Sequence, residues 1–329
     1  MADYTSDTRE IKDLLASTVE RTMDSGVVQD AIYDAHPLLK RLRAGGQLKV
    51  VDGGERMRIA VEYAKNTGGG SYDDLDPLDI TRQQTTTSAF YNWKQYAYPV
   101  VISGKEMRIN KSSKTKLFGL LEQRMNSAAK SLADDIATGL YADGTANGGL
   151  DITGLAAAIE TTPGTTSYAS VPTSNTAWRN QVETSVGAAA VNLVPKMNTV
   201  WNKCSQGSEG TDSSPNLTIT TRDIYETYES TMQPQVRYED GDSANSGFKV
   251  LTFKGMPFIW SDFCTSGTVF HLNTNHMFLY VHSDANFSKS SAGLQTPVNQ
   301  DSMITQILFM GNLLVNNRRK LGKLTGVTA

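Results

Sequence analysis

An α+β fold is predicted by three patterns in these 329 residues. The segment 112–145 carries Leu117, Leu121, Met125, Ala128, Leu132, Ile136 and Leu140 at spacings of three or four, which is one apolar stripe along about eight turns of helix. Two alternating runs, at 57–63 and 89–102, are separated by more than twenty residues rich in glycine, acid and threonine, the pattern of a long two-stranded arm. Short β-rich runs then follow from 216 to 316, joined by turn residues.

Composition bounds the rest. Hydrophobic residues make up 39% and charged residues 20%, ordinary for a soluble chain with one large or two smaller domains. No window approaches the roughly 18 apolar residues of a membrane span, and MADYTSDTRE lacks a basic-then-apolar leader, so an intracellular protein without a membrane partner is expected. Net charge is −3 with signs interspersed, which gives no global attraction to nucleic acid. Cys204 and Cys264 stand without a CxxC or a spaced framework and are expected reduced and buried.

Taken in order, DTREIKDLLASTVERTMDSG places Ile11, Leu14, Leu15, Val19 and Met23 on one face of a short helix, with Asp7 able to cap it and Gly26 to end it. Pro37 holds His36 extended, and Leu38, Leu39 and Leu42 form a second small apolar face. In the arm, Met57, Ile59, Val61 and Tyr63 occupy one phase going out. Ala89, Tyr91 and Trp93 hold odd positions on the return, whereas Tyr96, Tyr98, Val100 and Ile102 hold even ones; a bulge near Lys94 and Gln95 is the expected cause. The tip, with Gly68, Gly69, Gly70, Asp73, Asp74, Asp76 and Asp79, has little to bury. An isolated ribbon is marginal in water, so the arm is expected to lie on a neighbouring chain.

After the long helix, residues 160–176 and 205–216 read as small-residue loops around a helical region that contains Trp178, with Pro195 starting its second helix. NLTIT reads as a strand and RDIYETYESTM as a helix. Strands follow in FKVLTFKG, MPFIWSDF, TVFHLN and HMFLYVH, and SMITQILFMGNLLVNN is a strand pair or one long strand. The run Arg318, Arg319, Lys320 and Lys323 reads as a solvated basic tail.

Catalytic and ligand-binding patterns are sparse. The glycines at 68–70 and 144–149 lack the strand–helix context of a phosphate loop. His271, His276 and His282 are spaced by five and six, which matches no zinc pattern, and Ser113 with Lys116 lacks the partner motifs of serine acyl chemistry. Asp134 and Asp135 are adjacent and diverge on a helix, so they do not form an acid/base pair. The sequons at Asn110, Asn216 and Asn286 occur in a Ser/Thr-rich chain at the level of chance. No catalytic residue, metal or cofactor is expected.

The order of parts resembles that of the major capsid proteins of tailed bacteriophages, which share the Hong Kong 97-type fold. The resemblance runs from DAIYDAHPLLKRLRAGG through the arm, ISGKEMRIN, DDIATGLYADGT and GLDITGL to FKGMPFIWSDF, FHLNTNHMFLYV and ILFMGNLLVNNRRKLGKLTG. It implies an N-terminal arm at 1–45, an extended loop at 46–105, a peripheral domain with a spine helix at 106–155 and 290–329, and an axial domain at 156–289. The implied function is a shell subunit that assembles with itself into pentameric and hexameric capsomers of an icosahedral virion head. A portal, a decoration protein and weakly held double-stranded DNA are implied partners, and residues 1–45 leave no room for a fused scaffolding segment, so scaffolding is separate or absent. The subunit would be made in the bacterial cytoplasm. Contacts between subunits are expected at Ile11, Leu14, Leu15 and Val19, along Met57, Ile59, Val61, Tyr63, Tyr91 and Trp93, and at the tip. An encapsulin-type compartment shell and an unrelated enzyme are the alternatives.

Overall fold

The computed structural model describes residues 36–62, 64, 68–74, 81–110, 114–205, 214–236, 251–289 and 294–329. The expected N-terminal helix with Ile11, Leu14, Leu15, Val19 and Met23 lies outside them, as do Tyr63, Asp76, Asp79 and Ser113.

Chain order begins with helix α1 (Pro37–Ala44), where Pro37 sits in the first turn and Leu38, Leu39 and Leu42 face inward. Strand β1 (Leu48–Val51), the ribbon strands β2 (Met57–Glu62) and β3 (Thr86–Tyr91), and β4 (Lys94–Ser103) follow. Helix α2 (Gly104–Ile109) starts at a reciprocal cap in which the Ser103 hydroxyl accepts from the Glu106 amide and the Glu106 carboxylate accepts from the Ser103 amide. Helix α3 (Lys114–Tyr141) is the predicted spine. Its stripe residues Leu121, Met125, Leu132, Ile136 and Leu140 are all buried, so the spacing read from sequence is the packed face.

A four-stranded sheet forms the floor beneath this helix. Its order is β1, β13 (Met277–Lys289), β14 (Ser302–Val315), β4, so the apolar run at 302–315 is one long strand. β14 pairs with β4 over ten consecutive positions, Ser302↔Ser103 to Gly311↔Lys94. Two strands are therefore placed differently from the division read in the sequence. Residues 94–103, expected in the arm, belong to the central sheet, and 277–289, expected with the axial part, pairs with 302–315. The phase flip near Lys94 also has a simpler cause than a bulge: the chain leaves one partner strand and joins another across Asn92 and Trp93.

The second sheet has six strands in the order β10 (Thr252–Phe253), β11 (Met256–Trp260), β9 (Leu217–Thr220), β12 (Val269–Leu272), β15 (Gly322–Leu324), β7 (Gln181–Glu183). Every residue of β9, β12 and β15 is buried, because the sheet is covered on both faces. Phe270 and Leu272 join the core shared with the spine, whereas Val269 points to a second core built with α4 (Ala189–Ser205) and α5 (Arg222–Val236). Pro195 lies inside α4 rather than at its start. The carbonyl it leaves without a helical donor belongs to Val191, a residue 74% exposed on the outer side of the helix.

Residues 160–176, read as a loop, contain a tight hairpin of β5 (Ser167–Tyr168) and β6 (Val171–Pro172) with buried Tyr168, Val171 and Thr173. Its two turn residues, Ala169 and Ser170, have φ of 52° and 66°, the twist-matched hairpin turn without its usual Asn-Gly signature. The C-terminal run is likewise no solvated tail: Arg318, Lys320 and Lys323 are buried. Both cysteines are free and buried, as expected, each in a different core, and burial pushes their thiols up to about 12.

Candidate assembly surfaces

The ribbon β2–β3 pairs six residues against six, from Met57↔Tyr91 to Glu62↔Thr86. Period-two alternation sorts these pairs by face. Met57, Ile59, Val61, Ala89 and Tyr91 share one face, while Arg58, Ala60, Glu62, Thr86, Ser88 and Phe90 share the other. The first face is already covered within the chain: Met57, Val61, Ala89 and Tyr91 are at most 4% exposed, and Ile59 is half-buried.

What covers it is the hairpin missed in the sequence. The Tyr91 ring meets the Tyr168 ring edge-on at 5.7 Å, and the Phe90 amide donates to the Ala169 carbonyl at 3.0 Å. The Tyr91 hydroxyl donates to the Val315 carbonyl at 2.9 Å and accepts from the Val315 amide at 3.2 Å. Burial raises this phenol well above its ordinary range. Trp93, also expected at a neighbour, is half-buried; its indole donates to the Gly54 carbonyl at 2.7 Å and its ring meets His282 at 5.7 Å. Of the predicted contact residues, then, Met57, Val61 and Tyr91 are core residues of their own chain. The physical reason is that the ribbon has a third surface after all.

The open parts are the other ribbon face and the tip. The Arg58 guanidinium donates to the Ser88 hydroxyl at 2.8 Å there, and Phe90 is 40% exposed. At the tip Gly69, Gly70, Asp73 and Asp74 are exposed, Gly68 is half-buried, and Tyr72 presents 67% of its surface. The Asp74 amide donates to the Asp73 carboxylate at 2.9 Å.

A second surface escaped the sequence reading. Between residues 40 and 58 lie Lys40, Arg41, Arg43, Lys49, Arg56 and Arg58, all exposed, against only Asp52 and Glu55. A charge count over a window of about twenty residues carries that signal, which the whole-chain balance of −3 hides.

The base of the arm is fixed by polar contacts. Arg124 of the spine donates to the Val101 carbonyl at 2.7 Å and to Glu106 at 2.5 Å. The Ser103 amide and Arg124 together hold the Glu106 carboxyl below its ordinary range. Buried Asn312 donates to the Asn92 carbonyl at 2.9 Å and accepts from the Thr153 amide at 2.9 Å, which ties the end of the ribbon to the turn after the spine. Behind the covering hairpin, fully buried Arg318 donates to the Ala158 carbonyl at 2.7 Å and to Asn180 at 3.2 Å, lies 3.3 Å from Glu160, and stacks under Tyr168 at 4.6 Å.

Residues singled out for chemistry are engaged structurally. His271 shares a 2.9 Å hydrogen bond with Thr218, and burial brings its imidazole down to about 3. His276 pairs with Asn316 at 2.9 Å, and His282 accepts from the Asp284 amide at 3.1 Å. Asp134 faces His36 at 3.4 Å, and Asp135 accepts from the Tyr98 hydroxyl. Among the described residues no group of three His, Cys, Asp or Glu side chains converges, and no helix is long and apolar enough to cross a membrane.

No family model matches the chain, and no curated protein does. Solved structures do. The cyanophage A-1(L) capsid asymmetric unit is similar with a TM-score of 0.60 at 13% identity, over 87% of this chain and 93% of that one. Gordonia phage Cozz gives 0.54 at 10% identity over 86% and 84%. The holo-SrpI encapsulin complex from Synechococcus elongatus gives 0.52 at 9% identity over 85% of each.

Proposed function

Because this chain has the Hong Kong 97-type capsid fold, we propose that it is a major capsid protein, a structural subunit that assembles with itself into the icosahedral head of a tailed phage around double-stranded DNA. The observation that carries the reading is the length of the match: the similarity to the cyanophage capsid spans 87% of this chain and 93% of that one, so neither has a large domain the other lacks.

The parts divide by function on this reading. The peripheral unit is the floor sheet with the spine, about residues 94–159 and 277–315. The axial unit is the two-faced sheet with α4 and α5, about 160–276 and the C-terminal strands. The open ribbon face and the exposed tip residues Tyr72, Asp73 and Asp74 are the surfaces left for other subunits. Catalysis has no place in it. A portal, a decoration protein and a separate scaffolding protein are its expected partners, and the virion its location.

The encapsulin match favours a second reading, a compartment shell, because both kinds of shell share the fold. Negative-stain imaging of the purified chain tests the two together: closed shells are expected, and a chain that stays monomeric at every concentration and salt overturns both. Nuclease-protected DNA in particles from the native source supports the phage head; a protein cargo without DNA supports the compartment.

A further inference from the structure

Exposed cations on this chain fall into two kinds. Arg108, Arg124, Lys196, Lys203 and Arg222 each stand within 3.2 Å of a carboxylate. Lys40, Arg41, Lys49, Arg56 and Arg58 are also exposed, and among the described residues none of them pairs with a carboxylate. With Arg43 they make six cations against Asp52 and Glu55, a charge of +4 over residues 40–58, which leaves −7 on the rest of a chain whose total is −3. The positive charge is therefore local.

It is also built on a fixed backbone. Helix α1 buries Leu38, Leu39 and Leu42, which leaves Lys40 and Arg41 on its outer side. The chain then turns directly into β1: the Gly46 amide donates to the Arg43 carbonyl at 3.0 Å and the Gln47 amide to the Leu42 carbonyl at 2.9 Å. β1 is the outermost strand of the floor sheet, and its Lys49 ammonium lies 4.7 Å over the Phe278 ring of β13. Beyond it, the Trp93 indole bond to the Gly54 carbonyl and the ribbon pair Met57↔Tyr91 hold Arg56 and Arg58 at the ribbon's base. One edge of the floor sheet thus carries the whole strip.

We propose that this strip binds the phosphate backbone of duplex DNA without reading its sequence. The choice of DNA as the polyanion rests on the shell reading; the strip itself does not. Four of its six cations are arginine, whose planar fork matches phosphate oxygens two at a time. Duplex DNA carries a charge about every 1.7 Å of axis, and each phosphate that a cation neutralises releases counterions, which drives binding. The −7 on the remainder of the chain opposes contact elsewhere, so it turns this edge toward the polymer and keeps the hold weak.

Fluorescence anisotropy of a labelled duplex of about 20 base pairs, titrated with the full chain between about 50 and 200 mM salt, tests it at concentrations where light scattering shows single subunits. Micromolar binding is expected at the low-salt end. Lys40→Gln, Arg41→Gln and Lys49→Gln combined should weaken it about tenfold or more there and make the log–log salt slope shallower by about three, since each phosphate contact contributes roughly 0.9. Arg82→Gln, Lys105→Gln and Lys130→Gln remove the same charge from exposed positions elsewhere and should leave the slope unchanged. Equal weakening by both triples, or no wild-type binding at the lowest salt, overturns the proposal. Polyglutamate that displaces the duplex at equal charge concentration overturns it in favour of an acidic protein partner. Should the strip triple misfold by circular dichroism, Arg41→Gln alone serves, with a slope change of about one expected and no change sinking the idea. Imaging of shells reads the two proposals apart: a strip that binds nothing leaves the shell reading standing, and a chain that binds DNA without assembling overturns the shell reading alone.

Discussion

The two-faced sheet and the ribbon are built from similar strands and have opposite fates. Strand β12 buries Val269, Phe270, His271 and Leu272 alike, between two cores, and tolerates no exposure on either side. The ribbon buries only its Met57–Val61–Tyr91 face and leaves the other polar and open. What differs is the number of covering layers: two for the sheet, one for the ribbon. A strand with one covered face keeps a surface for another chain without risking its own fold.

The strongest way to break this contrast is to put a charge under the spine. Leu132 is fully buried against the floor sheet, and Leu132→Asp, like Leu121→Asp, strands a carboxylate there at a cost above about 4 kcal/mol. Insoluble expression is expected, and soluble yield after lysis is the measurement. Normal yield of both variants would place the stripe at the surface.

Arg318 sharpens the comparison one layer up, since it holds Ala158, Glu160, Asn180 and Tyr168 behind the hairpin that covers the ribbon. Arg318→Met leaves Glu160 without its buried partner and is expected to lose about 3–5 kcal/mol in urea unfolding. Adding Glu160→Gln recovers part of that, because the stranded charge is gone. No recovery would show that packing of the guanidinium, rather than its charge, is what matters.

Acid separates the two regions by a different route. His271 takes up a proton near 6.5 when unfolded but only near 3 when folded, so the unfolded state binds more protons between those values. Stability therefore falls as pH drops below about 6.5, by up to ~3 kcal/mol over the window to pH 4.5, where carboxylates begin to contribute. His271→Asn should flatten that slope in thermal melts; an unchanged slope assigns the acid sensitivity elsewhere. The open ribbon face carries no histidine and adds nothing to this term.

Smallest for the monomer is loss of the tip. Replacing residues 68–84 by a short glycine–serine turn leaves the six ribbon pairs and the covered face in place, so unfolding free energy should shift by no more than about 0.5 kcal/mol. On the shell reading, assembly should in contrast be lost. A destabilised monomer would mean the tip packs on its own chain.

Much of this architecture was legible where one period ran long enough. The spine could be read because Leu121 to Leu140 repeats at helical spacing over many turns; 302–315 could be read as β but not as one strand or two, because Ser302, Thr305, Gln306 and Asn312 interrupt its apolar residues. The covering hairpin was not, because its turn is Ala-Ser and its strands have two residues each, below any period. The buried Arg318, Lys320 and Lys323 were misread for a related reason: a run of cations looks solvated unless one knows that Glu160, about 160 positions earlier, waits beside it. Of the candidate surface, the acidic tip was visible; the basic charge of the strip lay in the local sequence, hidden by the whole-chain balance, and only its exposure needed the structure.

The join at Asn92 and Trp93 gives the ribbon a mechanical role. The Tyr91 hydroxyl bonds Val315, four positions past Gly311↔Lys94 in β14, so the end of β3 and the whole of β4 are fastened to the same long strand. A pull on the ribbon would then arrive at a strand held by ten successive pairs. On the shell reading proposed above, tension on the ribbon would pass through that shared strand to the ten pairs of the floor sheet instead of ending at the ribbon's own six.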